Sequence, residues 1–168
     1  MEEKEYLLQE VIRDRNAYQW LSDEWRADVD VARASIRKFG ITLAFAPLRM
    51  KEDPELALLA VKANGLALDF VHPHLVKTDV EICITAIGNN SNVFELLTPV
   101  MRMREDVLLA LLKSRWGYSS FRNHVPDNLL RKKDFMRQVV AIEGRMLELA
   151  PSRIYLDPEI ASIAARKS

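Results

Sequence analysis

Apolar positions along this chain recur in a pattern with a period of about 25 residues. Segments beginning at Glu3, Asp28, Asp53, Asp79, Glu105, Lys132 and Asp157 align, at spacings of 25, 25, 26, 26, 27 and 25 residues. Position four of each segment is apolar: Tyr6, Val31, Leu56, Ile82, Leu108, Phe135 and Ile160. Position five is apolar or small: Leu7, Ala32, Ala57, Cys83, Leu109, Met136 and Ala161. Position nine is apolar in Val11, Ile36, Val61, Ile87, Val140 and Ala165, with Lys113 the exception. Positions four, five, eight and nine share one helical face, because residues four apart lie nearly above each other. Each repeat is predicted to open with an amphipathic helix of about ten residues.

Polar positions mark where that helix starts. Asp53-Pro54-Glu55 and Asp157-Pro158-Glu159 each supply an N-cap aspartate, a proline at the first helical position and a first-turn glutamate. Position three is acidic at Glu5, Asp30, Glu55, Glu81, Asp134 and Glu159, where a carboxylate meets the positive end of the helix dipole. This placement already explains the carboxylate row without metal or acid–base chemistry. Position thirteen is Gly40, Gly65, Gly117 and Gly144, read as left-handed helix ends. A second apolar cluster follows, as in Leu43-Ala44-Phe45-Ala46 and Phe94-Glu95-Leu96-Leu97, and predicts a short second helix. Pro47, Pro73, Pro99, Pro126 and Pro151 are expected near or after its end. One such repeat cannot bury its apolar face alone, but stacked neighbours can. The expected fold is therefore all-α: an α-solenoid of about six to seven helix–turn–helix repeats in a single domain over residues 1–168, the last repeat partial. The fifth repeat is the least regular, with an insertion between Tyr118 and Lys132.

The segment Asp53-Pro54-Glu55-Leu56-Ala57-Leu58-Leu59-Ala60-Val61-Lys62-Ala63-Asn64-Gly65-Leu66-Ala67-Leu68, closing at Leu75-Val76-Lys77-Thr78-Asp79, resembles the repeat of the domain-of-unknown-function 4116 family. The family pattern is an acid-led helix ending Ala-Val-x-x-Asn-Gly, then Ala-Leu-x-Tyr/Phe-Ala, then Leu-x-x-Asp. Ala17-Tyr18-Gln19-Trp20-Leu21 through Trp25 to Asp28 fits its second half. The likeness covers nearly the whole chain and is closest in repeats one to four. It implies a helical repeat. The family carries no established activity, so it transfers no catalytic residues.

Hydrophobic residues make up 49% of the chain and charged residues 29%, the balance of a soluble globular protein. Lys+Arg and Asp+Glu both number 24, and zero net charge argues against a general nucleic-acid or acidic-membrane binder. No stretch reaches the ~18 apolar residues that would cross a bilayer. The acidic start, Met1-Glu2-Glu3-Lys4-Glu5, is unlike a secretory signal. The single cysteine, Cys83, cannot form an intramolecular disulfide, and the expected compartment is the cytoplasm.

Candidate chemistry is sparse. His72-Pro73-His74 pairs two imidazoles with Cys83 nine residues on, short of the four ligands of a structural zinc site. Cys83 sits where other repeats carry Ala57 and Leu109, and reads as a small buried hydrophobe. Ser22, Ser119 and Ser120 lack a nearby histidine–acid pattern, and no phosphate-binding loop or His-Glu-x-x-His is present. No catalytic residue, metal or cofactor is expected.

The leading expectation is a non-enzymatic interaction scaffold that binds another protein. Arg33, Arg37, Lys62 and Arg137 stand at variable polar positions suited to contact. Trp20 and Trp25 read as packing residues that can also serve as an anchor. A second reading is nucleic-acid binding through the basic C-terminal half. Arg102, Arg104, Lys113, Arg115, Arg122, Arg131, Lys132, Lys133 and Arg137 gather there, with Trp116 and Tyr118 for stacking. A third is a structural spacer or homo-oligomerisation module.

Overall fold

Every element of the computed structural model is helical among the described residues, 2–115 and 117–167. The chain forms two compact units, the first ending at Thr98 and the second beginning at Pro99. The boundary falls ahead of the irregular fifth repeat.

Four leading helices build the first unit: Glu2–Arg13, Val29–Phe39, Pro54–Ala63 and Val80–Asn89. Each packs against the next. A second row is formed by the 3-10 helices Ala17–Trp20, Ile41–Phe45, Gly65–Phe70 and Ser91–Leu96, again each against the next. Short α-helices at Asp23–Arg26, Leu48–Lys51 and Pro73–Thr78 return the chain to the following leading helix. The repeat therefore has three helical pieces. The expected second helix is a 3-10 helix, a form suited to runs of a few residues. The prolines fall just after the 3-10 helix, as expected, and open the third piece: Pro47 is its N-cap residue and Pro73 its first residue. A proline N–H would have no helical partner there, so its absence costs nothing.

The caps follow the sequence. Asp28 Oδ1 accepts from the backbone N–H of Asp30 and Val31, and Asp53 Oδ1 accepts from Glu55 and Leu56. Asp79 Oδ1 accepts from Ile82 N–H at 3.1 Å. The helix ends differ from expectation. Among the described residues only Gly40 takes a positive φ, +56°. Elsewhere the residue before position thirteen turns extended: Asn64 at φ −154°, Asn90 at φ −149° and Glu143 at φ −141°. Asn64 and Asn90 then cap the 3-10 helices, their Oδ1 atoms accepting from Leu66 and Asn92 N–H.

The core lies between the two rows. Val31, Ala32, Ile36, Ala57, Val61, Cys83 and Ile87 are fully buried from the leading helices, and Tyr18, Leu43, Leu68 and Phe94 at position sixteen meet them from the 3-10 row. Tyr18 is also satisfied, its hydroxyl donating to Arg26 O at 2.6 Å. Tyr6 breaks the position-four pattern and is exposed, because the Glu2–Arg13 helix stands at the end of its row. Ser35 is fully buried where the next repeats carry Ala60 and Ala86, and its Oγ has no hydrogen-bond partner among the described residues. Ser35→Ala removes that uncompensated hydroxyl and improves helix propensity, so it is expected to raise stability by about 1 kcal/mol, read as a higher denaturant midpoint.

The second unit carries the leading helices Glu105–Lys113, Lys133–Ile142 and Pro158–Ala165. Val107, Leu108, Leu111 and Leu112 are the buried residues of the first of these. The fifth repeat thus starts at Arg104, one residue earlier than aligned. This register moves Leu112 onto position nine and removes the exception at Lys113, which is exposed. The insertion forms an α-helix, Gly117–His124, packed on Glu105–Lys113. Its Phe121 ring lies 6.4 Å from that of Phe135 in the sixth repeat.

Candidate interaction surface

Position eighteen closes each 3-10 helix. In the first unit it holds Trp20, Phe45, Phe70 and Leu96, two residues beyond the buried position sixteen. Trp20 is 81% exposed, Leu96 45% and Phe45 39%, while Phe70 is half-buried. Because the 3-10 helices stack in register, these side chains form a row along one edge. Trp20 is thus not a packing residue; Tyr18 fills the core place in that repeat. Trp25 is half-buried, in register with the buried Met50 and Met101.

A hollow lies beside three members of the position-eighteen series. One, of about 540 Å³, is lined by Asp23, Arg26, Ala27 and the Ala44–Pro47 stretch that includes Phe45. Another, of about 230 Å³, is lined by Leu68, Val71, Pro73, Val76, Lys77 and Leu96 among others. In the second unit a third, of about 160 Å³, is lined by Asp127, Leu130, Arg131, Leu149, Ala150 and Pro151. Each sits between the short third helix of one repeat and the end of the next 3-10 helix. Sequence reasoning placed Phe45 and Leu96 in the second apolar cluster without separating a buried from an exposed position. The signal was available in the spacing of two between positions sixteen and eighteen, which puts them on different sides of a three-residue turn.

The other nominated residues divide by environment. Arg33 and Arg37 are exposed on the Val29–Phe39 helix and line one groove with Arg13 and Lys38. Lys62 is exposed on the next leading helix, and its carbonyl accepts from Asn89 Nδ2 at 3.1 Å. Five of the basic residues nominated in the second unit, Arg104, Arg122, Lys132, Lys133 and Arg137, face carboxylates. Arg104 places Nε 3.0 Å from Asp106 Oδ1 and Nη2 2.8 Å from Oδ2. Lys132 Nζ lies 2.7 Å from Glu105 Oε1. Arg137 meets Glu159 at 2.8 Å and Asp134 at 2.7 Å, and Arg122 pairs with Glu148. Arg102 is half-buried, and Trp116 lies outside the described residues.

Lys133 joins this network, 2.8 Å from Asp157 Oδ2 and 3.3 Å from Glu159 Oε2. Lys133 holds the Asp157 carboxyl below its ordinary range, and Arg137, then Lys133, does the same for Glu159. Carboxylates depressed in the folded state stabilise it above the unfolded pKa, and the contribution fades as pH falls through the folded pKa. The melting temperature of the second unit should therefore fall on acidification below about pH 4, and Lys133→Gln should flatten that fall. Lys133 and Glu159 are exposed and Asp157 is half-buried, so the effect is modest and salt-sensitive.

The remaining candidates have structural partners. His72 caps the Pro73–Thr78 helix, its Nδ1 accepting from His74 N–H at 3.3 Å, and its Nε2 faces Glu52 at 3.5 Å. Cys83 is fully buried and its thiol donates to Val76 O at 3.4 Å. Burial, then the nearby Asp79 carboxylate, pushes the thiol up to about 11, so it is a poor nucleophile at neutral pH.

The family model for Domain of unknown function (DUF4116) matches residues 28–76 and again 53–102. The two matches start one repeat apart, and each spans about two of the stacked repeats. Residues 28–102 belong to the DUF4116 family. The DUF4116 stretch comprises repeats two to four with their position-eighteen residues Phe45, Phe70 and Leu96. No curated protein and no solved structure matches the chain. No helix among the described residues is long and apolar enough to cross a membrane.

Proposed function

We propose that this chain is a non-enzymatic α-solenoid that binds another protein along its position-eighteen edge. The observation that carries the reading is the recurrence, within the first unit, of one hollow at equivalent repeat junctions, walled by Phe45 and by Leu96. Exposed aromatic and aliphatic side chains beside apolar hollows are the usual anchors of protein interfaces. Two such hollows at alternate junctions of one helical stack suit an extended partner segment that places a side chain in each. The charge network of the second unit favours this over a nucleic-acid partner, because Arg104, Arg122, Lys132, Lys133 and Arg137 already face carboxylates.

Affinity capture from a nuclease-treated native lysate tests the proposal. The wild-type chain is expected to retain a defined protein, and Trp20→Ser combined with Phe45→Ser to lose it by tenfold or more, as for truncated hot-spot anchors worth about 2 kcal/mol each. Capture that survives the double substitution, or disappears with nuclease alone, contradicts the proposal.

A further inference from the structure

A separate groove runs between the leading helices of the first two repeats, away from the position-eighteen residues. It encloses about 580 Å³ and is lined by Ile12, Arg13, Asp30, Arg33, Ala34, Arg37 and Lys38. Ile12 is 44% exposed and supplies, with Ala34, an aliphatic floor. Four cations surround it. Asp30, the one acid in the lining, is neutralised by Lys4 at 2.7 Å. Arg13 and Arg33 reach carboxylates only loosely, Glu10 at 3.5 Å and Glu55 at 3.8 Å. Arg37 and Lys38 are exposed and have no ion-pair partner among the described residues. At this groove in the first unit, the charges of Arg37 and Lys38 stand beside apolar surface without a carboxylate partner among the described residues, and those of Arg13 and Arg33 are only loosely paired.

We propose that this groove binds an acidic peptide segment of a protein partner, carboxylates on Arg33, Arg37 and Lys38 and one aliphatic side chain on Ile12 and Ala34. This rests on the reading of the chain as a protein-binding solenoid and assigns it a second contact of defined chemistry. Carboxylates fit the guanidinium forks of Arg33 and Arg37, which present paired donors. The aliphatic floor fits a leucine-like side chain and offers no aromatic face on which a nucleobase could stack. The fixed carboxylate of Asp30 in the wall further suits spaced peptide charges over an unbroken phosphate backbone. Lys62, exposed on the next leading helix, extends the positive strip beyond the groove.

Fluorescence anisotropy of the full chain with a labelled synthetic peptide, rich in glutamate and carrying one central leucine, tests the inference. Binding is expected to weaken as salt rises and to drop about tenfold or more when the glutamates are replaced by glutamine. Arg37→Glu combined with Lys38→Glu should cause a loss of the same size, and Trp20→Ser with Phe45→Ser should leave peptide binding unchanged. Both pairs of sites are exposed or rim positions, and circular dichroism verifies the fold of each variant. No binding, equal binding of the glutamine peptide, indifference to the charge reversals, or tighter binding of a single-stranded oligonucleotide of matching length each overturns it. Lysate capture separates the two proposals. Peptide failure with capture retained removes only the acidic groove, whereas loss of both removes the protein-binding reading as well.

Discussion

Phe121→Ala is expected to destabilise the second compact unit by about 3–5 kcal/mol, the range for deleting a buried aromatic ring. Phe121 is fully buried and Phe135 is 1% exposed, with their rings inclined at 23°. The pair joins the inserted helix Gly117–His124 to the leading helix Lys133–Ile142. That insertion has few other apolar residues, and its outer face relies on exposed contacts: Tyr118 with Glu148, Arg122 with Glu148, and the Arg145 guanidinium over the Tyr118 ring at 5.1 Å. Exposed polar contacts of this kind contribute little, so the cavity left by Phe121 cannot be offset locally. Hydrogen exchange of residues 117–142 gives the readout. The expected outcome is a large loss of protection there. A double-mutant cycle with Phe135→Ala should show coupling, since the two rings share one cavity.

Gly65→Ala is expected to cost about 3 kcal/mol, at the upper end of overpacking penalties. The reason is packing between repeats and not backbone conformation, because Gly65 does not have a positive φ. A methyl group at Gly65 would lie 2.6 Å from Ala86 O and 3.0 Å from Asn90 N, both backbone atoms of the next repeat. Gly40 has the same relation one repeat earlier, with Ala60 O at 2.5 Å and Asn64 N at 2.9 Å. Backbone cannot swing aside as a side chain can, so either the two leading helices separate or the methyl group clashes. Separation also breaks a polar clamp. Gly65 N–H donates to Asn89 Oδ1 at 2.8 Å, and Asn89 Nδ2 donates to Lys62 O at 3.1 Å. Chemical denaturation of Gly65→Ala against wild type measures the loss, and Asn89→Ala should reproduce a smaller part of it.

These two substitutions show where the sequence was legible. The period, the leading helices and the N-cap aspartates are written in local chemistry, and the apolar positions four and nine alone place the core face. The positive φ expected of these glycines holds at Gly40, but the role of Gly65 was misread because the alignment shows where glycine recurs and not what approaches it. Only the stacked structure brings Ala60 O and Ala86 O against Gly40 and Gly65. Register in the fifth repeat was lost for a related reason. Arg104 occupies an N-cap place held by aspartate in earlier repeats, so Glu105 was aligned there instead. The candidate surface was half visible. Trp20 stood out as an anchor, but its kinship with Phe45 and Leu96 is hidden until position sixteen is seen to take the core. The acidic-peptide groove was visible only as scattered arginines, since Ile12 and Arg37 lie on different helices.

The most direct measurement is a hydrogen-exchange footprint of the chain with its captured protein partner bound. The account predicts protection spaced by one repeat, at the ends of the 3-10 helices around Trp20, Phe45, Phe70 and Leu96. Protection confined to other surfaces, or absent at those four places, would contradict it.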